Sequence, residues 1–427
     1  MLDDEAPLAR PAALSWLAEI PGRFQRKMSG GAYRPEIDGL RFFAIAFVIF
    51  GHSLERAARF FASYQNSLEG GTLETYLQLA PFGVCLFFTI SGFIIANQAI
   101  RTDRSPLSGA FLKAYFGRRV MRIEPPYILL LLATWLAITL TGYVPEGTHR
   151  FYAEPQSLNV SLIASIFYVH DLFWNTFPRL FPPGWSLEVE VQFYVCAPLL
   201  LWLWTRIESG AGRLTMALAV CAVGLLLSLA DLQQAGPFYL DFSLVRFFNY
   251  FWLGIVLAYY QEPIRARVAA APATLVTAMG WLGLLACILL PAPRHPPFYP
   301  ECLRLPAVDL ALAAVFASTF APHSGFRRFC AVPWISLIGG ACYSIYLVHL
   351  QVIQVLSSMA FKLAPGLPLL GVTVAMTLIA IVVVGIGLTY YVQIERRFMT
   401  RNWHRLAIEA VKKHTASWSA AGRFASR

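Results

Sequence analysis

Ten apolar runs, each close to the twenty or so residues that carry a helix across a bilayer core, divide this chain of 427 residues. They fall approximately at 39–61, 79–99, 126–145, 185–205, 213–232, 242–260, 272–291, 305–321, 333–358 and 368–393. A soluble protein of this length would bury a large core but still need a polar shell, with about a quarter of its residues charged. Here 14% are charged and 57% hydrophobic. The pattern predicts an all-α integral membrane protein, a polytopic bundle of about ten transmembrane helices. The segment 157–174 is apolar as well, but His170 and Asp171 lie near its end. It reads as a re-entrant or interfacial piece, because an eleventh span would invert everything after it.

Basic residues set the orientation, since the inner loops of bacterial membrane proteins are enriched in Lys and Arg. With the N-terminus inside, the inner segments hold 25 of the 34 basic residues and the outer segments seven. Arg41 and Arg246 lie within spans. Both termini are therefore expected in the cytoplasm and the chain in a bacterial inner membrane. A net charge of +10 raises the question of nucleic acid. Concentrated on inner loops beside anionic lipid, the charge points to the bilayer as partner and away from nucleic acid. Of the seven Cys, only Cys302 is clearly external, and no Cys or Cys/His metal spacing occurs. Neither a disulfide nor a metal is expected. The first residues lack the basic start and apolar core of a signal peptide. Residues 1–32 read as a cytoplasmic N-terminal segment, 33–398 as the transmembrane domain and 399–427 as a basic cytoplasmic tail.

Ionisable groups inside a span are costly and mark candidate sites. Arg41 and His52 in the first span are eleven residues apart, which is about 20° from three full turns and about 16 Å of rise. They share a face, with Arg41 near the inner surface and His52 past mid-membrane. Asp38 is a plausible N-cap for this helix. Snorkelling to lipid phosphate competes with a site role for Arg41, and an interhelical hydrogen bond competes for His52. The fourth span opens PPGWSLEVEVQFY, which puts Glu188 and Glu190 near the outer face on different sides. Helix-dipole stabilisation accounts well for Glu188. Tyr343, Ser344 and His349 lie on the ninth span, with His349 in its outer half. Arg246 and Asn249 lie near the outer start of the sixth span, either as an interhelical tie or at a substrate. Ser91-Gly92, mid-span in the second, reads as a close-packing pair or part of a site. The inner loop FGRRVMRIEPPY brings Arg118, Arg119 and Arg122 together, with Arg119 and Arg122 on one face. Arginine forks suit phosphates, although such clusters also arise as topology charge.

Taken in order, RPEIDGLR with His52 completing Arg-x10-His, GVCLFFTISGF, RRVMRI-x-P, WSLEVEVQFY, RFFNYFWLG, YSIYLVH and IERRF resemble the membrane-bound acyltransferase-3 family. The resemblance covers about residues 33–398. It implies a ten-helix membrane domain that takes acyl groups, commonly acetyl, from cytoplasmic acyl-coenzyme A. These pass to hydroxyls of sugars or other acceptors, such as a glycan or a lipid-linked sugar. By that resemblance, Arg41 and His52 match the essential Arg and His of the first span. Arg119 and Arg122 match the arginines proposed to hold coenzyme A, with Arg41 and Arg118 as further candidates for binding it, and Glu190 matches the carboxylate of the W-S-L string. Ser91, Trp185, Arg246, Tyr343 and His349 are the candidate substrate-binding residues. The chain departs from the family at Cys85, where Asp is usual, at Asn249, where Glu is frequent, and at Val191, where a second Glu is common. Some members carry a fused outer hydrolase-like domain; without one, transfer is completed by this chain or passed to a separate partner.

The expected chemistry is general-base catalysis. A histidine suits deprotonation of an acceptor hydroxyl during attack, and Glu190 is expected to orient its ring. An acyl-enzyme relay is the alternative. The rival classes are a transporter or flippase, with polar residues lining a translocation path, and a silent membrane scaffold. The chain shows neither repeated halves nor paired broken spans.

Overall fold

The computed structural model describes residues 19–24, 33–64, 79–102, 104–142, 156–229, 234–235, 238–290 and 301–399. The N-terminal segment and the basic tail expected from the sequence lie almost wholly outside these residues. Beginning at Pro35, the helices are α1 (Pro35–Phe60), α2 (Leu79–Ile100), α3 (Gly109–Thr141), α4 (Leu158–Ile166), α5 (His170–Trp174), α6 (Trp185–Thr205), α7 (Gly210–Leu229) and α8 (Leu244–Tyr259). They continue as α9 (Gln261–Ala270), α10 (Ala273–Leu289), α11 (Glu301–Phe320), α12 (Gly325–Cys330), α13 (Pro333–Gly340), α14 (Cys342–Leu363) and α15 (Leu369–Tyr390). A π-helical turn, Tyr391–Glu395, and α16 (Arg396–Phe398) end the described chain. A two-residue ladder, Gln234–Ala235 with Phe238–Tyr239, is the only strand pairing among the described residues.

The protein is an all-α polytopic membrane protein. Seven described helical stretches are long and apolar enough to cross a bilayer, and 210–224, 244–259 and 273–289 are shorter apolar helices. The described part of every predicted span is helical, the ninth as two helices, but the count of ten rests on those three shorter elements. The segment expected to be re-entrant or interfacial forms α4 and α5, nine and five residues long. At 1.5 Å per residue neither crosses a 30 Å core.

At the centre α1, α2 and α8 pack together, with α13 and α14 against α1. Small residues permit this. A Cβ on Gly92 would lie 2.1 Å from the Phe251 carbonyl oxygen, and one on Gly254 would lie 2.1 Å from that of Thr89. The two helix backbones therefore touch in a reciprocal pair, the close approach that small residues give membrane helices. Stacked rings of Phe88, Phe251 and Phe193 extend the contact to α6.

Three sequence expectations change. Asp38 does not cap α1: the helix begins at Pro35 after Arg34, without a side-chain cap, and Asp38 pairs with Arg41 one turn on. The ninth span is two helices, α13 and α14, separated at Ala341. There Gly339 lets the backbone of α1 approach at Asp38, which a Cβ would forbid. The arginine-rich stretch is not a loop either. α3 starts at a Ser108 N-cap, which accepts from the Phe111 N–H, and runs unbroken through Pro125 and Pro126. The helix is tied to its neighbours on either side of the proline pair: the Tyr343 and Tyr390 hydroxyls donate to the carbonyls of Ile123 and Pro126, both at 2.7 Å.

Candidate active site

α1, α2, α3, α6 and α14 line a partly open cavity of about 680 Å³, its solvent-filled mouth included, with Arg41, Ser91, Arg119, Arg122, Glu190 and Tyr343 among its lining residues. Along α2 its lining runs from Ile94 to Val84, about 15 Å of helix rise. The arginines and Tyr194 lie toward one end, and Ser186, Phe87 and Tyr346 toward the other.

The basic end is held by aromatic and polar contacts. Arg119 is 7% exposed; its guanidinium stacks over Tyr194 and Tyr115, 5.0 and 5.6 Å from the ring centres, and donates to Gln98 at 3.1 Å. Such a cation over aromatic faces is held in place while its fork stays available to an anion. Arg122 reaches the same cavity one turn along α3, and its Nε is buried with no hydrogen-bond partner among the described residues. The opposing charge nearest in effect is buried Glu395, whose Oε2 accepts from Ser344 Oγ at 2.6 Å. Arg118, one residue away, is exposed and outside the cavity. The periodicity of α3 thus divides the arginines expected to act together. Arg41 lines the cavity while paired to Asp38 at 2.5 Å, and both are buried.

Glu190 sits on the opposite wall. It accepts from Ser91 Oγ at 2.5 Å and from the Tyr194 hydroxyl. It was expected to orient the His52 ring, but its bonds go to Ser91 and Tyr194 instead. The carboxylate at the His52 ring is Glu55, whose Oε2 lies 3.2 Å from Nδ1. Both are on α1 at i,i+3, neighbours on a helix face. That spacing was legible in HSLE, but Glu55 is missing from the family string that drew attention to Glu190.

The second histidine packs against the first. The rings of His52 and His349 are 5.1 Å apart between centres, tilted by 38°. His349 is fully buried, and its Nδ1 lies 2.5 Å from the Tyr346 carbonyl. A carbonyl only accepts, so Nδ1 carries the proton and Nε2 presents a lone pair. That Nε2 is buried without a partner among the described residues. Neither histidine lines the cavity; Tyr346 stands between, lining it on one side and lying 5.2 Å from the His349 ring on the other.

Other expected residues fall elsewhere. Trp185 packs against Phe242, Phe247 and Phe88 outside the cavity lining. Arg246 is half-exposed and paired to Asp241 at 3.2 Å. Asn249 donates to Asp309, a carboxylate on α11 that the sequence reading passed over. Glu188 is buried and accepts the backbone N–H groups of His170 and Asp171 at 3.1 and 3.0 Å. It therefore satisfies the start of α5 rather than its own helix. Burial lowers His170 to about 4, so its neutral ring donates from Nδ1 to the Thr176 carbonyl at 2.9 Å.

A membrane bundle holds an arginine-lined cavity whose lining stops on α14 at Tyr346, one helical turn short of His349, and His349 packs against the carboxylate-backed His52. These are the parts of a group-transfer enzyme with an anionic donor. The comparisons with known proteins name the class more closely. The chain belongs to the acyltransferase-3 family: the family model described as an acyltransferase domain matches residues 34–390. It is similar to Nodulation protein 10 of Rhizobium leguminosarum bv. viciae, 28% identical over 194 residues, covering 44% of this chain and 49% of that protein. It is also similar to the O-acetyltransferase OatA of Staphylococcus aureus (strain NCTC 8325 / PS 47), 25% identical over 355 residues, covering 78% of this chain and 52% of that protein. The chain thus spans about half the length of these curated relatives. No solved structure matches it.

Proposed function

We propose that this chain is an O-acyltransferase of the bacterial inner membrane, with both termini cytoplasmic. It moves an acetyl group from cytoplasmic acetyl-coenzyme A to a hydroxyl of a sugar or glycan, free or lipid-linked. The observation that carries this reading is the arrangement of Arg41, Arg119 and Arg122 in one cavity whose far wall, Tyr346, touches the His349 ring. Arginines offer charge-assisted bonds to the phosphates of coenzyme A. The thioester arm then points along the cavity toward the histidines. The name of the S. aureus relative supports acetyl as the group and a hydroxyl as its destination.

In the proposed reaction the acceptor oxygen attacks the thioester carbon. His52 Nε2 takes the hydroxyl proton while Nδ1–H donates to Glu55, which holds the ring and stabilises its charged form. The new C–O bond forms, the C–S bond breaks, and the proton passes from His52 to the departing thiolate. Glu190, hydrogen-bonded to Ser91 and Tyr194, shapes the donor wall. Two measurements test the reading. Purified protein in lipid nanodiscs should bind acetyl-coenzyme A calorimetrically, and glycans from cells with the protein should carry an acetyl-sized mass missing from cells without it. Glycans of equal mass, or no binding of the donor, would sink it.

A further inference from the structure

Glu55 is the carboxylate behind His52, yet one contact at 3.2 Å does not by itself hold it. A glutamate side chain has several rotatable bonds, and at 26% exposure Glu55 has room to swing toward solvent, a freedom that costs free energy to remove. A second contact restrains it. Oε2 of Glu55 meets His52 Nδ1, while Oε1 forms an ion pair with Arg56 Nη1 at 3.5 Å. One carboxylate thus bridges a base and a cation, with one oxygen on each.

Helix geometry alone does not place Arg56 there. Consecutive residues on a helix point about 100° apart and do not face each other. The contact therefore requires the long Arg56 side chain to bend back along α1. An arginine near the end of a membrane helix ordinarily snorkels to the headgroups. Arg56 is instead held inside: its side chain is 10% exposed, and its charge acts on the His349 ring of α14. By sequence it is one of the seven basic residues of the outer segments, with no role beyond topology. The fold gives it a place beside the histidine pair.

From this geometry we infer that Arg56 is a positioning residue for the transfer: it fixes Glu55 and, through Glu55, the ring of His52. This role rests on the reaction proposed above and adds a member to the group behind its base. A neutral imidazole presents a single lone pair. With Oε2 held at Nδ1, the proton stays on Nδ1 and the lone pair on Nε2, the arrangement that a base in this orientation requires. Without Arg56, Glu55 would divide its time between His52 and solvent, and the ring would lose the contact that selects its tautomer and its angle.

The test reads donor binding and transfer separately. Acetyl-coenzyme A affinity is measured by calorimetry in nanodiscs. Transfer is measured in cells as acetyl added to surface glycans, per molecule of protein at known membrane abundance. The variants are Arg56→Gln, Arg56→Met, Arg56→Lys, Glu55→Gln and the Arg56→Gln/Glu55→Gln pair. Arg56→Gln and Arg56→Met should lower transfer about tenfold, within the range over which contacting residues couple. Arg56→Lys keeps the charge and should transfer more than Glu55→Gln does. Affinity for acetyl-coenzyme A should stay within about twofold throughout, and the paired variant should transfer within about twofold of Glu55→Gln alone. Additive losses in the pair overturn the action through Glu55, as do full transfer by Arg56→Gln or Arg56→Met and a loss of donor affinity at Arg56. Should neither uncharged variant reach the membrane, Arg56→Lys decides: transfer above that of Glu55→Gln supports the tie, and transfer at or below it overturns the tie. Wild type that adds no acetyl to glycans overturns the proposed reaction, and this inference with it.

Discussion

His52 and His349, from helices 297 positions apart in the chain, meet with ring centres 5.1 Å apart. Each has its Nδ1 occupied, His52 by the Glu55 carboxylate and His349 by the Tyr346 carbonyl. These contacts engage Nδ1 and not Nε2 of either ring. Groups that act as a unit lose their effect together rather than additively. His52→Ala should lower transfer by about 10²–10⁴-fold, the usual worth of a general base. His349→Ala should also impair it, and the double variant should be little worse than His52→Ala alone. Additive losses, measured per molecule at known membrane abundance, would separate the two rings functionally.

Glu55 offers a sharper test of the ring's orientation. Glu55→Gln keeps size and hydrogen-bonding reach but removes the charge that stabilises the imidazolium. It should lower the rate while leaving donor binding unchanged. Glu190→Gln should instead alter donor binding, because Glu190 bonds Ser91 and Tyr194 in the cavity wall. The opposite assignment of effects, read from binding and turnover separately, would restore Glu190 to the base.

The arginines divide by helix face. Arg119 and Arg122 line the cavity and Arg118 does not. A charge-assisted hydrogen bond is worth about 1.5–3 kcal/mol, so Arg119→Ala or Arg122→Ala should weaken coenzyme A binding about tenfold or more. Arg118→Ala should change it less than twofold. Equal losses at all three, measured by calorimetry, would point to diffuse charge rather than a site.

Helix contact at Gly254 predicts a packing defect without any change in chemistry. Its added Cβ would meet the Thr89 carbonyl at 2.1 Å. Overpacking typically costs about 1–3 kcal/mol. Gly254→Ala should therefore yield less monodisperse protein after detergent extraction, with the surviving fraction still binding donor.

Topology is open to direct measurement. A reporter fused after Arg427, or within 101–122, should read cytoplasmic, and one within 143–180 should read external. A cytoplasmic signal from both internal positions would remove the ten-span arrangement.

By itself the sequence determined the class of the molecule and most of its helices. Long apolar runs have no other economical solution than spanning helices, and ionisable residues such as Arg41 and His52 are costly enough inside them to announce themselves. The shared face of Arg119 and Arg122 was readable too, because helical periodicity is local. Tertiary structure alone decided which groups meet. Nothing in the order of residues tells that His349 lies against His52, that Tyr346 stands between the cavity and His349, or that Glu188 serves the backbone of a neighbouring helix. Those outcomes depend on how α1, α2, α6 and α14 dock, and docking is governed by close approaches at residues such as Gly92, Gly254 and Gly339. The break at Ala341 has the same origin, since an apolar run carries no mark of where another backbone will press against it.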